Sequence, residues 1–379
     1  MSLPDLPVTE TFPALRAALA DGRPTVLVAP PGAGKTTLVP LALLDEPWLA
    51  DRRIVMLEPR RLATRAAARR MAQLLGEDVG HTVGYQTRDE RRIGAATRIE
   101  VVTEGILTRR LQHDPELPGV GLVIFDEVHE RNLTTDLGLA LALDVTATIR
   151  PDLRLMAMSA TPDTAALLGA LPDAELLTSE GRTFPVDLRW APRQPKQRIE
   201  PAVAAVVQQA LRDEAGDVLV FLPGIGEITR THRLLDSAVG PDVDVYPLAG
   251  ALSLAEQDRA LAGSPPGRRR VVLATDIAET SLTVEGVRVV VDSGLARAPR
   301  FDTRTGMTRL TTITTSRASA DQRAGRAGRV EPGACYRMWS KVEHGTRPAH
   351  RAPEIDEADL AGLALELAAW GSGPDQLSF

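Results

Sequence analysis

The chain has 379 residues, 44% of them hydrophobic, and a net charge of −6. That is enough apolar material for two ordinary cores, whereas no stretch approaches the roughly 20 apolar residues that span a bilayer, and no basic N-terminal segment leads into an apolar run. The acidic balance excludes coating nucleic acid by bulk electrostatics; the single cysteine, Cys335, excludes an internal disulfide and a cysteine-based zinc site. We therefore expect a soluble, cytoplasmic protein whose contacts to nucleic acid are local.

In chain order, Phe12 to Ala20 has the apolar period of a helix, closed by Asp21-Gly22. Val26 to Val28 reads as a strand and Lys35 to Leu44 as a helix. Strand and helix then alternate: a strand from Arg53 to Leu57, a helix from Leu62 to Leu75, a strand from Arg98 to Val102, a helix ending at Leu111, and strands at Val120 to Phe125 and Leu153 to Met158. Such alternation predicts a parallel sheet whose ligand sites lie at the C-terminal strand ends. Residues 170–197, rich in Pro, Gly and acidic turn residues, read as a domain boundary. A second series follows, with strands at Asp217 to Leu222, Asp242 to Tyr246, Arg270 to Ala274 and Val287 to Asp292, and helices at Ile225 to Ser237 and Leu254 to Leu261. Arg300 to Leu310, with Asp302 to Gly306 at its centre, predicts a hairpin, and Ala334 to Met338 a strand holding Cys335. Pro348 to Pro353 reads as a linker before an amphipathic helix, Asp359 to Ala369.

The loop between the first strand and its helix carries the chemistry. Pro31, Gly32, Ala33, Gly34, Lys35, Thr36 and Thr37 form a phosphate cradle, in which backbone N–H groups and the helix N-terminus face phosphate oxygens, Lys35 reaches the β- and γ-phosphates, and Thr36 ligates Mg²⁺. Ala29 replaces the usual first glycine, which requires a negative φ there. Asp126-Glu127, at the end of an all-apolar strand, supplies the second half: Asp126 holds Mg²⁺ and Glu127 polarises the attacking water. Arg323, Arg326 and Arg329 recur at every third residue, a helical spacing that puts guanidinium groups on one face, with two glycines allowing close approach to another surface. Arginines also cluster elsewhere, including Arg268 to Arg270, and some clusters adjoin turn or helix-start signals where a phosphate backbone could be met.

The phosphate loop, the run Asp126-Glu127-Val128-His129, Ser159-Ala160-Thr161 and the run Gln322 to Arg329, in that order, resemble a superfamily 2 helicase of the DEAH/RHA group, and Thr103 to Leu107 with Pro30-Pro31 is most similar to its bacterial HrpB branch. The resemblance covers nearly the whole chain. It implies two tandem RecA-like parallel-sheet domains, with the start of a winged-helix module at the C-terminus; we place these at residues 1–182, 183–345 and 346–379. It further implies arginine fingers at Arg326 and Arg329, Gln322 at the hydrolytic water or His129, Ser281 sensing that water, and backbone contacts to nucleic acid from Arg60, Arg61, Thr103, Glu104, Gly224 and Thr275. Arg70 and Leu261 would sandwich the nucleotide base, which, with no Gln or Asn in Met1 to Val28, predicts that ATP is used and other NTPs are accepted. Asp276 stands where the family often has Asn. The implied activity is an ATP- and Mg²⁺-dependent, nucleic-acid-stimulated NTPase and 3′ to 5′ helicase on single-stranded RNA or DNA, acting as a monomer. The alternatives are a ribonucleoprotein-remodelling NTPase and a nucleotide-gated binding module. The chain is expected to lack most later family domains, leaving Trp370 and the row Leu363, Leu365 and Leu367 exposed.

Overall fold

The computed structural model describes residues 3–171, 173–181, 184–279 and 284–377, and the chain divides into two compact units, Met1–Gly181 with Ala352–Phe379, and Arg182–Arg351. The first unit runs α1 (Phe12–Ala20), β1 (Thr25–Val28), α2 (Lys35–Ala42), β2 (Arg53–Leu57), α3 (Arg61–Leu75), β3 (Val83–Gln86), β4 (Arg91–Arg92), β5 (Ile99–Val102), α4 (Glu104–His113), β6 (Val120–Phe125), α5 (Leu133–Thr148), β7 (Arg154–Ser159), α6 (Ala165–Ala170) and β8 (Glu175–Thr178). Its sheet has the order β4-β3-β5-β2-β6-β7-β1-β8, parallel throughout except for β4. Central strands carry apolar residues on both faces, because each face is covered. Along β1, Leu27 packs with α1, α2 and α3, whereas Val26 and Val28 pack with α4, α5 and α6, as the two-residue period of a strand requires. β6, β7 and β1 are neighbours, so their C-terminal ends form one rim.

The second unit contains β9 (Val186–Trp190), α7 (Ile199–Asp213), β10 (Asp217–Phe221), α8 (Ile225–Asp236), β11 (Val243–Leu248), α9 (Leu254–Leu261), β12 (Arg269–Ala274), β13 (Val287–Asp292), β14 (Leu295–Asp302), β15 (Met307–Thr314), α10 (Arg317–Ala324), β16 (Gly333–Arg337) and α11 (Lys341–Thr346). Its parallel sheet has the order β11-β12-β10-β13-β16-β9, and β14 and β15 form the expected hairpin, longer than the sequence signal suggested. Cys335 is buried in β16, where burial pushes its thiol pKa up. Both units are RecA-like α/β sheets. Among the described residues no helix is long and apolar enough to cross a membrane.

The last element, α12 (Ala361–Trp370), belongs to the first unit. Leu367 is buried and Leu363 and Trp370 pack against the core beneath α5, so of the row expected to be exposed only Leu365 remains so, at 73%. Other differences have plain causes. The division between the units, after Gly181, falls within the stretch read as boundary, but that stretch also holds β8 and β9, which are edge strands; edges tolerate the charged and turn-forming residues that mimic a loop. Helix α5 is apolar nearly all round because it is buried on several sides, and so lacked an amphipathic signal. The arginine-rich run is helical only to Ala324; beyond it Arg326, Ala327 and Gly328 donate to the carbonyls three residues back.

Candidate functional site

The phosphate loop has the backbone that its glycines permit. Gly32 and Gly34 have φ of 89° and 96°, and Ala29 is not among the positive-φ residues; its N–H continues the sheet by donating to Ser159 O at 3.0 Å. Gly34 is the N-cap of α2 and offers no side-chain cap, so the first N–H groups of the helix face the loop.

Lys35, the first residue of α2, is buried, and its Nζ lies 3.0 Å from Glu127 Oε1 and 3.9 Å from Asp126 Oδ1. Thr36 Oγ1 donates to Asp126 Oδ2 at 2.6 Å, and Asp126 Oδ1 accepts the Glu127 N–H at 2.8 Å. Burial pulls the Lys35 pKa down, but the carboxylates of Glu127 and Asp126, with Glu58 farther off, outweigh it and hold the ammonium above its ordinary value. Burial pushes Asp126 up to about 6, against the pull of Lys35 and with the push of Glu127. Glu58 is fully buried at the end of β2, where no local sequence pattern distinguishes a rim carboxylate from a turn residue.

Two carboxylates and one hydroxyl therefore meet one buried cation. This surplus of negative charge, with the hard oxygens of Thr36 and Asp126 converging, fits Mg²⁺. That ion takes one or two protein oxygens and completes its shell with water and phosphate rather than with a protein cage.

Glu127 sits at φ 55°, a left-handed conformation that costs a non-glycine residue about 1–3 kcal/mol and turns its carboxylate back toward Lys35. His129 Nδ1 accepts the Ala160 N–H at 3.2 Å, which joins the Asp-Glu-Val-His run to Ser159-Ala160-Thr161. Nδ1 is also 3.5 Å from Glu127 Oε2. With its Nδ1 lone pair receiving an N–H, the ring carries its proton on Nε2.

The remaining sequence candidates are distributed over both units. Arg60 pairs with Glu130 at 3.0 Å, and Arg61 at the start of α3 pairs with Asp89. Thr103 is the N-cap of α4, and Glu104 accepts from Asn132 and Thr135 at 3.3 Å each. Arg70 is on the exposed face of α3, while Leu261 ends α9 in the second unit. Gly224 caps α8 beside Arg297 and Glu227, and Thr275 follows β12. Ser281 lies outside the described residues.

The arginine run of the second unit is partly internal. Arg323 is buried between Glu279 at 2.8 Å and Asp292 at 3.0 Å, over the Phe221 ring at 4.7 Å. Arg326 Nε donates to Glu279 O at 2.9 Å, Arg329 is half-buried, and Gln322 sits on α10. Gly328 provides close approach, but to the unit's own chain: a Cβ there would lie 2.5 Å from Phe184 O. Arg268, Arg269 and Arg270 are likewise engaged, with Asp244, with the carbonyls of Gly216 and Leu211, and with Asp217.

Comparison with known proteins agrees with this arrangement. The DEAD/DEAH box helicase family model matches residues 10–168 and the helicase conserved C-terminal domain matches 202–331. The chain is 52% identical over 375 residues to the ATP-dependent RNA helicase HrpB of Escherichia coli (strain K12), covering 99% of this chain and 46% of that one. Crystal structures described as the E. coli DEAH/RHA helicase HrpB and the E. coli DExH-box NTPase HrpB align with TM-scores of 0.95 and 0.88 at 52% and 51% identity. They cover 99% and 100% of this chain and 48% and 47% of those. The chain thus spans about half the length of the relatives it matches. With both domain models matched in order and the phosphate loop joined to the Asp-Glu-Val-His turn, the chain belongs to the DEAD/DEAH box helicases.

Proposed function

We propose that this chain is the motor part of an ATP-dependent RNA helicase, hydrolysing ATP when bound to single-stranded RNA and moving 3′ to 5′. The observation that carries the reading is the buried junction of Lys35, Thr36, Asp126 and Glu127. In turnover Lys35 exchanges Glu127 for the β- and γ-phosphate oxygens, which leaves the carboxylate to orient and polarise the water that attacks the γ-phosphorus. Thr36 and Asp126 would hold Mg²⁺, which neutralises charge on the phosphates. His129, which accepts the Ala160 N–H, would register movement of the Ser159-Ala160-Thr161 turn.

Arg326 and Arg329 are assigned as the cations that neutralise the transferring phosphoryl group, with Gln322 beside the water and Ser281 sensing it. Arg329→Ala should lower kcat by about 10³-fold or more while nucleotide still binds. Arg60, Arg61, Thr103, Glu104, Gly224 and Thr275 are assigned to the RNA backbone, and Arg70 with Leu261 to the nucleotide base. Stacking on a guanidinium tolerates any base, so kcat/KM for GTP, CTP and UTP should fall within about tenfold of ATP.

The deciding experiment measures phosphate release with and without single-stranded RNA and DNA, then displacement of a duplex bearing a 3′ or a 5′ overhang. RNA-stimulated hydrolysis with displacement only from the 3′ overhang supports the reading. Stimulated hydrolysis without displacement makes the chain a remodelling NTPase, and absence of hydrolysis defeats the proposal.

A further inference from the structure

The turn that carries Glu127 is held by a residue outside both matched helicase regions. The turn is bracketed by two non-glycine residues in the left-handed region, Glu127 at φ 55° and Arg131 at φ 51°. Such a backbone persists only where its surroundings over-determine it. Within the turn, Glu130 N–H donates to Glu127 O at 2.9 Å and Arg131 N–H to Val128 O at 3.2 Å. At its far end α5 begins, yet its N-cap, Asn132, provides no side-chain cap.

Glu354 fills that place from 221 positions along the chain. Its N–H donates to Arg131 O at 3.0 Å, and its Oε2 accepts the Leu133 N–H at 2.9 Å, so a carboxylate faces the positive end of α5 and the same residue secures the strained Arg131. The segment that supplies Glu354 is itself fastened along α5. Trp370 Nε1 donates to Asp144 Oδ2 at 2.8 Å, Leu367 is buried in the core beneath α5, and Gln112 bonds to Glu366. One stretch, 354–370, thus engages α5 at Leu133 and at Asp144. Neither the region matched at 10–168 nor that at 202–331 includes it.

We propose that Glu354 is a positioning residue for hydrolysis: it fixes the Glu127 turn by capping α5 and holding Arg131. This rests on the assignment of Glu127 above. Full-length Glu354→Ala, Glu354→Gln and Trp370→Phe are compared with wild type in RNA-stimulated ATP hydrolysis, in affinity for a fluorescent ADP analogue, and in thermal unfolding, with assays run well below every Tm. Loss of a charge-assisted hydrogen bond from the turn should lower kcat of the Ala variant about tenfold. Its KM and ADP-analogue affinity should stay within about twofold, since Lys35 and the phosphate loop are untouched. Gln keeps an acceptor for Leu133 N–H and should restore most of kcat. Trp370→Phe should lower Tm but not kcat. Wild-type turnover in the Ala variant, equal losses in Ala and Gln, or the same kcat loss in Trp370→Phe would each overturn the role of Glu354 while leaving that of Glu127 standing. Absence of hydrolysis by the wild type would remove both.

Discussion

Lys35 pairs with Glu127 and, on the function proposed above, also meets the nucleotide phosphates, so one substitution tests both. Removing the ammonium leaves Asp126, Glu127 and Glu58 buried without it, and breaking a buried pair costs about 3–5 kcal/mol. Lys35→Ala should therefore lose both nucleotide affinity and stability of the free protein, read by titration of a fluorescent ADP analogue and by urea unfolding. Glu127→Gln removes a base but no phosphate contact. It should bind nucleotide normally and turn over at least about 100-fold more slowly; near-normal turnover would take Glu127 out of that role. Glu104 sets a pH dependence of stability. Burial, then the neighbouring carboxylates of Glu130 and Glu354, raise it to about 7 from 4.5, although Thr135 and Arg60 pull the other way. With the folded-state pKa raised, its contribution is complete below pH ~4.5 and is lost as pH rises through ~7, a change of at most about 3 kcal/mol. Glu104→Gln should thus be more stable than wild type at pH 8, with the advantage disappearing toward pH 4.5. Urea midpoints across that range provide the check, and a constant difference would contradict it.

Among the elements, the stretch after α10 shows how a correct motif can carry a second task. Gly325 and Gly328 look equivalent in sequence, but a Cβ on Gly325 would meet only the carbonyls of Asp321 and Gln322 at 3.4 Å, an ordinary contact, whereas one on Gly328 would lie 2.5 Å from Phe184 O and 2.7 Å from a Val186 methyl. Neither has a positive φ, so space alone separates them. Gly325→Ala should be near neutral in the folding of the second unit, while Gly328→Ala should cost about 1–3 kcal/mol by forcing β9 away from the arginine run. Unfolding by urea distinguishes them, and equal midpoints would show that β9 yields freely.

For the molecule as a whole, the first unit is discontinuous in sequence. A chain ending at Arg351 would lose Leu367, Leu363 and Trp370 from the core beneath α5, and the Glu354 cap with them. Full burial of one large apolar side chain is worth about 1.5–3 kcal/mol, so truncation there should destabilise the first unit by several kcal/mol, seen as a lower Tm for that unit. A fragment of residues 1–180 is expected to bind nucleotide poorly for the same reason, quite apart from anything the second unit supplies. An unchanged Tm after truncation would mean that the segment only lies on the surface.

Local sequence determined the strands and turns whose signals are local. The apolar run Val120 to Phe125, the glycines of the phosphate loop, Lys35 at the start of α2 and Asp126-Glu127 at a strand end all follow from short-range periodicity and backbone sterics. The family motifs were legible because each occupies contiguous residues. Tertiary structure decided what depends on partners far along the chain. It made β8 and β9 strands despite their polar edges, gave Arg323 two buried carboxylates, engaged Arg268 to Arg270, put the buried Glu58 within electrostatic reach of Lys35, and brought Glu354 and Trp370 onto α5. No local pattern shows which partner each of these residues takes, because burial and hydrogen-bond satisfaction are properties of the packed pair, and a sequence read through neighbouring residues contains only half of each pair.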